Sequence, residues 1–245
     1  MSIVGESKGF SYRVSRFLER VTYRRIESRD DKEVIFRMRY EAYSRDGSIA
    51  PRPSGLFNDV YDEAPNVWLI GVYVDGELAS SIRLHVSANP RIVLPVTRVF
   101  PEIVGPLLEA GKIVVDGTRF VTSLEASRNC PELPYATTRL TFLADEFFDA
   151  DYLTAACREG HQNFYRRMLH GDLWAEPRQY PGLKWDTSLV VFDSKLKREK
   201  LYSKSPYFQS SRQERAALFS SSSNSSADPI SLIRGVETHD FAMTH

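Results

Sequence analysis

Three charged residues fall inside segments that otherwise read as buried strand. Arg83 sits in Ser-Ser-Ile-Arg-Leu-His, and Asp116 and Arg119 sit in Ile-Val-Val-Asp-Gly-Thr-Arg-Phe-Val. A lone buried ion is very costly, so charges inside strands need partners. Asp116 and Arg119 are three residues apart and point to opposite faces of an ideal strand. Gly117 marks the place where a bulge would bring both toward one site. The loop Phe57-Asn58-Asp59-Val60-Tyr61-Asp62 offers Asp59 and Asp62 as partners for Arg83 and Arg119, or as ligands for an amine. The same pair also suits a solvated turn with Asx-type hydrogen bonds. Such charges on two strands serve either a structural salt-bridge network or a site for a small charged molecule, and their number favours the site.

Other residue types are weaker signals. Tyr165, in His161-Gln-Asn-Phe-Tyr-Arg-Arg167, is a candidate general acid for a leaving thiolate, or else a core tyrosine with a satisfied hydroxyl. His161 reads as a helix-start residue, and His85 shares the face of Arg83 as a supporting residue. Arg37 and Arg39 cannot share one helix face, so one of them is a surface residue. Cys130 and Cys157 have no metal-site spacing and no adjacent base, and both read as structural. The chain carries no phosphate loop, dinucleotide glycine fingerprint, His/Cys metal cluster or Gly-x-Ser-x-Gly elbow. Most cofactor and metal enzymes are thereby set aside. Acyl transfer from a carrier remains compatible, since positioned charges and backbone donors are enough for it.

The elements that must position these residues read as α/β. Val21 to Glu27 reads as a strand, and Ser28-Arg-Asp-Asp31 caps a helix whose apolar stripe is Val34, Met38 and Ala42. Val67 to Val74 and Glu77 to Val86 flank Asp75-Gly76, which predicts a two-residue hairpin turn with positive φ at both central positions. Ile113 to Val121 is a strand and Tyr135 to Phe148 a helix opened by Pro134. Tyr152 to Cys157, His161 to Leu169, Leu173 to Ala175 and Ser188 to Phe192 follow as strand, helix, strand and strand. Three regions result: an amphipathic lead-in at 1–20, a catalytic domain at 21–208, and a Ser-rich flexible tail at 209–245. The lead-in is either a membrane-surface helix or a terminal helix packed on its own domain, and the second is favoured. The 245 residues include 42% hydrophobic and 26% charged residues with zero formal net charge. That balance offers no electrostatic argument for nucleic acid. No stretch approaches the roughly 18 apolar residues of a membrane helix. With two cysteines and no signal-like N-terminus, a soluble cytoplasmic enzyme is expected, with peripheral membrane contact left open.

The element order resembles the GNAT acyltransferase fold, a central mixed twisted sheet flanked by helices. The chain more closely resembles the bacterial long-chain N-acyl-amino-acid synthases, relatives of the acyl-homoserine-lactone synthases. The resemblance rests on Phe36-Arg-Met-Arg-Tyr-Glu-Ala-Tyr43, Asp59-Val-Tyr-Asp-Glu-Ala-Pro-Asn66, Asp75 to His85, Val115-Asp-Gly-Thr-Arg-Phe120, Glu132-Leu-Pro-Tyr-Ala-Thr137, Phe164-Tyr-Arg-Arg167 and Arg178-Gln-Tyr-Pro-Gly-Leu183. These blocks cover roughly 21–208 in one order. The resemblance implies transfer of a long-chain acyl group from acyl carrier protein to the amino group of an amino acid. It places Asp116, Arg119 and Tyr165 in catalysis and Arg39, Asp59, Asp62 and Arg83 in substrate binding, with Arg39 preferred to Arg37 by its adjacency to Tyr40. Asp59, Asp62 and Asp116 would hold the substrate ammonium or take its proton; Arg83 and Arg119 would hold its carboxylate. No resident cofactor or metal is implied, since the phosphopantetheine thioester arrives on the carrier. CoA-dependent GNAT enzymes have a glycine-bearing pyrophosphate loop where this chain reads Arg128-Asn-Cys-Pro-Glu-Leu-Pro134. An acidic carrier would dock on Arg158, Arg166, Arg167 and Lys184, and the Lys195 to Lys200 run is either part of that surface or a solvated helix face. The alternatives are a CoA-dependent small-molecule N-acyltransferase and a carrier-binding module without chemistry.

Overall fold

A computed structural model describes residues 3–168, 170–221 and 228–235. In chain order the elements are α1 (Ile3–Leu18), β1 (Val21–Arg25), α2 (Arg29–Arg45), β2 (Val67–Val74), β3 (Glu77–Ser87), α3 (Pro101–Glu109), β4 (Val114–Thr122), α4 (Leu124–Asn129), α5 (Leu133–Phe148), β5 (Tyr152–Cys157), α6 (Glu159–Met168), β6 (Asp172–Gln179), β7 (Asp186–Asp193), α7 (Ser194–Lys204), α8 (Arg212–Phe219) and α9 (Pro229–Arg234). Short 3-10 turns occupy Val60–Glu63, Pro95–Arg98 and Pro206–Phe208. The strands form one sheet in the order β1-β2-β3-β4-β5-β7-β6. Only β4 and β5 run parallel, and they pair only from Val114 to Gly117 and from Tyr152 to Ala155. Beyond those residues β4 and β5 are no longer paired, so the sheet parts between them.

Local chemistry accounts for the parts that position the site. Asp75 and Gly76 take φ of 51° and 91°, the left-handed pair that matches the twist of a two-residue hairpin. The Ser28 side chain accepts a hydrogen bond from the Asp31 N–H at 3.1 Å and caps α2. The buried stripe of α2 is Ile35, Phe36, Met38 and Arg39. Val34, expected on that stripe, is 54% exposed, because the helix turns its Ile35 and Phe36 side onto Ile26 and Leu69 instead.

Both faces of β3 are covered, which is why this strand shows no polar face. Ile82, Leu84 and Val86 join the larger core with Trp68, Leu140, Phe142 and Phe148 beneath α5. Arg83, His85 and Ser87 alternate onto the opposite face, and all are fully buried. Arg83 shares a register position with Leu69 of β2, which packs against α2. A second core of Leu94, Val96, Phe100, Val104, Leu189 and Val191 fills the far half of that face.

Two expectations about the ends of the chain are resolved differently. The lead-in is a helix whose Val14 and Phe17 are buried in the main core, so it packs on its own domain. The tail from 209 onward, read as flexible apart from one weak element near Ile230 to Ile233, has that element as α9 and, against the expectation, a packed helix α8. Leu218 and Phe219 of α8 and Ile233 of α9 are buried in the same core. A capping box at Ser211 and Glu214 starts α8, a signal hidden in sequence by the polar run beyond it. Residues 222–227 and 236–245 lie outside the described residues. Among the described residues, no helix is long and apolar enough to cross a membrane.

Candidate functional site

The interior charges meet in one cluster of three guanidinium groups and two carboxylates. Arg39 Nη1 donates to Asp62 Oδ1 at 2.7 Å. Arg83 Nη1 donates to Asp59 Oδ1 at 2.6 Å, its Nη2 to Asp59 Oδ2 at 3.3 Å, and its Nε to the Thr118 hydroxyl at 3.1 Å. Arg83 Nη1 also lies 3.0 Å from Asp62 Oδ1. Arg119 Nη2 donates to Asp59 Oδ2 at 2.8 Å. The loop that presents the aspartates is itself locked. Asp59 accepts from the Tyr61 N–H and Asp62 from the Asp59 N–H, a reciprocal capping box at the 3-10 turn. Sequence spacing suggested either a solvated turn or a partner loop for arginines, and the loop is both turn and partner.

Burial raises the cost of each charge in the cluster, and pairing answers it. Burial pushes the Asp59 carboxyl up, but the hydrogen bonds and charges of Arg83 and Arg119 outweigh this and hold it well below the usual range. Asp62 is likewise pushed up by burial and pulled lower by Arg39 and Arg83. Carboxylates held this low and fully hydrogen-bonded are poor proton acceptors, which argues against Asp59 or Asp62 as a base. Burial lowers Arg39 to about 10. Three cations against the two anions hydrogen-bonded to them leave one positive charge in excess within the cluster; Asp116, the other carboxylate on this face, bonds none of the three guanidiniums. Nε and Nη2 of Arg39 are buried with no partner among the described residues. Those two nitrogens form the guanidinium edge that carboxylates grip bidentately.

The strand irregularity lies at Arg119, not at Gly117. Arg83 pairs with Thr118 and Ser81 with Val121, so β4 carries an extra residue across this interval. Arg119 takes φ of 54°, in the left-handed region that L-residues rarely adopt. The bulge turns Arg119 back onto the Arg83 face, where its guanidinium stacks on three rings: Phe57 at 4.6 Å, Tyr43 at 5.6 Å and Tyr180 at 5.8 Å. Burial alone would lower Arg119, yet Tyr43, Tyr180 and Asp59 together raise it, so it stays charged. Gly117 has another reason: a Cβ there would meet the Thr141 methyl at 3.4 Å, beneath α5.

Asp116 is on the Arg83 face but is not paired with Arg119. Its Oδ2 accepts from the Val96 N–H at 2.9 Å and its Oδ1 from the Thr154 hydroxyl at 3.0 Å. It therefore ties β4 to β5 and to the 95–98 turn. Burial pushes its carboxyl up to about 6, only partly offset by those two bonds. Of the three aspartates it is the one nearest neutrality. His85 donates from Nε2 to the Tyr61 carbonyl at 2.9 Å, and burial lowers it to about 3, so it is neutral and supports the loop.

Tyr165 lies on the other side of the parted strands. It lines an apolar slot of about 30 Å³ with Ile82, Phe120, Thr141, Leu153 and Phe192. Thr138 and Thr141 donate their hydroxyls to carbonyls of their own helix, Pro134 and Thr138, so the slot meets methyl groups. Burial pushes the Tyr165 hydroxyl well up, which keeps it protonated. The expected docking residues are not alike. Arg158 is paired with Asp46 at 2.9 Å, whereas Arg166, Arg167 and Lys184 are exposed with no ion pair among the described residues. In the Lys195 to Lys200 run, Lys195 pairs with Asp149 and Lys197 with Asp172. Arg37 bonds Glu33 on the surface, leaving Arg39 as the buried arginine of α2. The ring residues Tyr43, Phe57 and Tyr180 and the hydroxyls of Thr118 and Thr154 were not among the expected site residues. Nothing in their types or spacing separates them from core residues.

The family model described as N-acyl amino acid synthase FeeM matches residues 34–193. A comparison with curated proteins found no match. Among solved structures, the chain is similar to FeeM, an N-acyl amino acid synthase from uncultured soil microbes. That match has a TM-score of 0.63 and 13% identity, and covers 76% of this chain and 97% of that one. It is also similar to BjaI, a CoA-dependent acyl-homoserine lactone synthase, with a TM-score of 0.54, 13% identity and coverage of 80% and 96%. MesI, another such CoA-dependent synthase, gives a TM-score of 0.53, 17% identity and coverage of 78% and 96%. At these identities the structures show the shared GNAT-like fold. The family model spans well over half of the sequence and takes in every charged residue of the cluster, and on that ground the chain belongs to the FeeM family of N-acyl amino acid synthases and is an N-acyltransferase.

Proposed function

We propose that the chain transfers a long-chain acyl group from the phosphopantetheine thioester of an acyl carrier protein to the amino group of an amino acid, releasing an N-acyl amino acid. The observation that carries the acceptor half is the excess positive charge of the cluster: Arg39 Nε and Nη2 are buried with no partner among the described residues, and among those residues Arg119 hydrogen-bonds only Asp59. An amino-acid carboxylate supplies the missing anion. Arg83 is no longer a carboxylate ligand in this reading, because each of its nitrogens is engaged by the protein. Arg83, Asp59 and Asp62 form the frame that holds Arg119. The acceptor ammonium loses a proton to Asp116 or to water, and the free amine attacks the thioester carbonyl. Backbone N–H groups released from pairing at the Arg119 bulge stabilise the tetrahedral oxyanion. Collapse breaks the C–S bond and leaves the amide: Tyr165 gives its proton to the leaving thiolate, and the second proton of the attacking nitrogen passes through water back to Tyr165.

The start of α5 supports a carrier donor over free CoA. A pyrophosphate needs free N–H groups at a helix N-terminus. Here the Leu133 N–H goes to the Cys130 carbonyl, Pro134 has none, and the Tyr135 and Ala136 N–H groups go to the Glu132 carbonyl. Glu132 adds a negative charge at the same end. Exposed Arg166, Arg167 and Lys184 suit an acidic carrier. The test is incubation of the protein with acyl-carrier or acyl-CoA thioesters and mixed amino acids, read by mass spectrometry. N-acyl amino acids formed much faster from the carrier thioester are expected. Equal rates from both donors would assign the enzyme to CoA chemistry, and carrier binding without any product would remove the catalytic reading.

A further inference from the structure

Arg119 is attached to the cluster by a single hydrogen bond, from Nη2 to Asp59. The long side chain leaves a strained, left-handed residue and would swing freely if that bond alone held it. Three rings prevent this, and they come from three separate segments: Tyr43 from α2, Phe57 from the aspartate loop, and Tyr180 from the turn after β6. Tyr43 and Phe57 also pack on each other, with ring centroids 4.9 Å apart, so they form one wall. Tyr180 is the separate piece opposite, and its anchoring is distinct.

Tyr180 is 7% exposed and belongs to the core cluster that contains Val96, whose N–H holds Asp116. Its hydroxyl has no hydrogen-bond partner among the described residues, and its electrostatic neighbours are Asp116, Arg119, Arg83 and Asp59. Its ring lies against the Arg119 guanidinium at 5.8 Å, and it shares a core with the residue whose N–H holds Asp116. The turn it opens is closed by the Leu183 N–H on the Tyr180 carbonyl at 3.1 Å, with Gly182 at φ of 80°. The Lys184 N–H then donates to the Ser48 carbonyl at 2.9 Å. Tyr180–Lys184 is therefore a strap, pinned at one end in the core and at the other to the segment that follows α2.

We propose that Tyr180 is a positioning residue for the acceptor: its ring, held by the Tyr180–Lys184 strap, fixes Arg119 so that the free guanidinium nitrogens face the amino-acid carboxylate. This rests on the amino-acid reading of the site. The ring carries the effect and the hydroxyl does not, because stacking on a guanidinium needs only the aromatic face. The acyl donor enters at the parted strands, which Tyr180 does not line.

The experiment compares wild type with Tyr180→Phe, Tyr180→Leu and Tyr180→Ala in steady-state kinetics with the acyl-carrier donor and the best amino acid. Calorimetric titration of that amino acid into donor-free protein runs alongside. Tyr180→Leu and Tyr180→Ala should raise the acceptor KM and the dissociation constant at least tenfold, with the donor KM within twofold of wild type. Tyr180→Phe should keep all three within twofold. An acceptor KM unchanged in Tyr180→Leu, or acceptor and donor KM rising together, would overturn the proposal while leaving the enzyme reading in place. The fuller side chain of Tyr180→Leu keeps the test available if Tyr180→Ala does not fold. Wild-type protein that neither binds nor acylates any amino acid would remove the reading on which the proposal stands.

Discussion

Arg83 and Arg119 illustrate how two arginines on adjacent strands serve different ends. Arg83 is fully buried and saturated by Asp59, Asp62 and Thr118, whereas among the described residues Arg119 hydrogen-bonds only Asp59. Removing one member of a buried ion pair strands the other, at about 3–5 kcal/mol. Arg83→Ala should lose stability in denaturant unfolding, but less than that full penalty, because Asp59 keeps Arg119 and Asp62 keeps Arg39. Arg119→Ala should abolish turnover at a smaller stability loss, because Asp59 keeps both bonds from Arg83. Unchanged turnover in Arg119→Ala would take Arg119 out of the site. Asp116 behaves in the opposite sense to its neighbours. Its folded value of about 6 lies above the unfolded 3.8, so stability falls as pH rises from about 4 through 6. At neutral pH that difference is worth roughly 3 kcal/mol against folding. Asp116→Asn should match or exceed the wild-type melting temperature at pH 7 and lose turnover; a large drop in melting temperature would show that the buried anion stabilises the fold. Asp59 and Asp62 are held low, so their contribution is present at neutral pH and disappears only as strong acid protonates them.

At the level of elements, the bulge in β4 and the first and last helices matter most. A left-handed L-residue costs about 1–2 kcal/mol, and here that strain places Arg119 on the same face as Arg83. The end of the chain is part of the domain. Arg139 of α5 donates to the carbonyls of Tyr207 and Gln209 and pairs with Glu214 at 3.0 Å, while Phe219 is fully buried near Trp68. Phe219→Ala should cost about 3–5 kcal/mol, read by chemical denaturation. A loss under about 1 kcal/mol, the size typical of a surface substitution, would return α8 to the status of a tail. Gly171 borders the slot, and a Cβ there would lie 2.5 Å from Val190 Cγ1. Gly171→Ala should therefore destabilise the α6–β6 junction by about 1–3 kcal/mol.

Across the whole molecule, the slot between the parted strands is nearly closed. Its space of about 30 Å³ is small beside a long acyl chain. In the proposed reaction the acyl chain would load here by separating β5 and α6 from α5, which contribute Leu153, Tyr165 and Thr141 to its walls. Hydrogen exchange in β5 and α6 should change on adding the acylated carrier and remain unchanged in β2 and β3. Equal protection of all four elements would place the acyl chain elsewhere. The larger cavity, about 600 Å³ between β1 and α8, is lined by none of the cluster residues.

Periodicity made much of the fold legible. Strand alternation, the Asp75-Gly76 turn and Pro134 are local signals, and local signals persist in any fold that contains them. Arg83 and Asp116 stood out because charge inside an apolar strand requires a partner wherever the strand ends up. The tail boundary at 209 was set too early, because a few buried apolar side chains anchor α8 in surroundings that are polar by composition; most of the Ser-rich run lies outside the described residues. Tyr43, Phe57 and Tyr180 were invisible for a related reason. An aromatic residue has the same sequence signature in a core as against a guanidinium, and the three lie far apart along the chain. The sequence by itself determined that the strand charges Arg83, Asp116 and Arg119 need partners, and offered Asp59 and Asp62 as candidates. Only the tertiary structure decided how: a bulge at Arg119 rather than Gly117 sets which face it joins, and the count of hydrogen bonds leaves Arg83 saturated and Arg119 open.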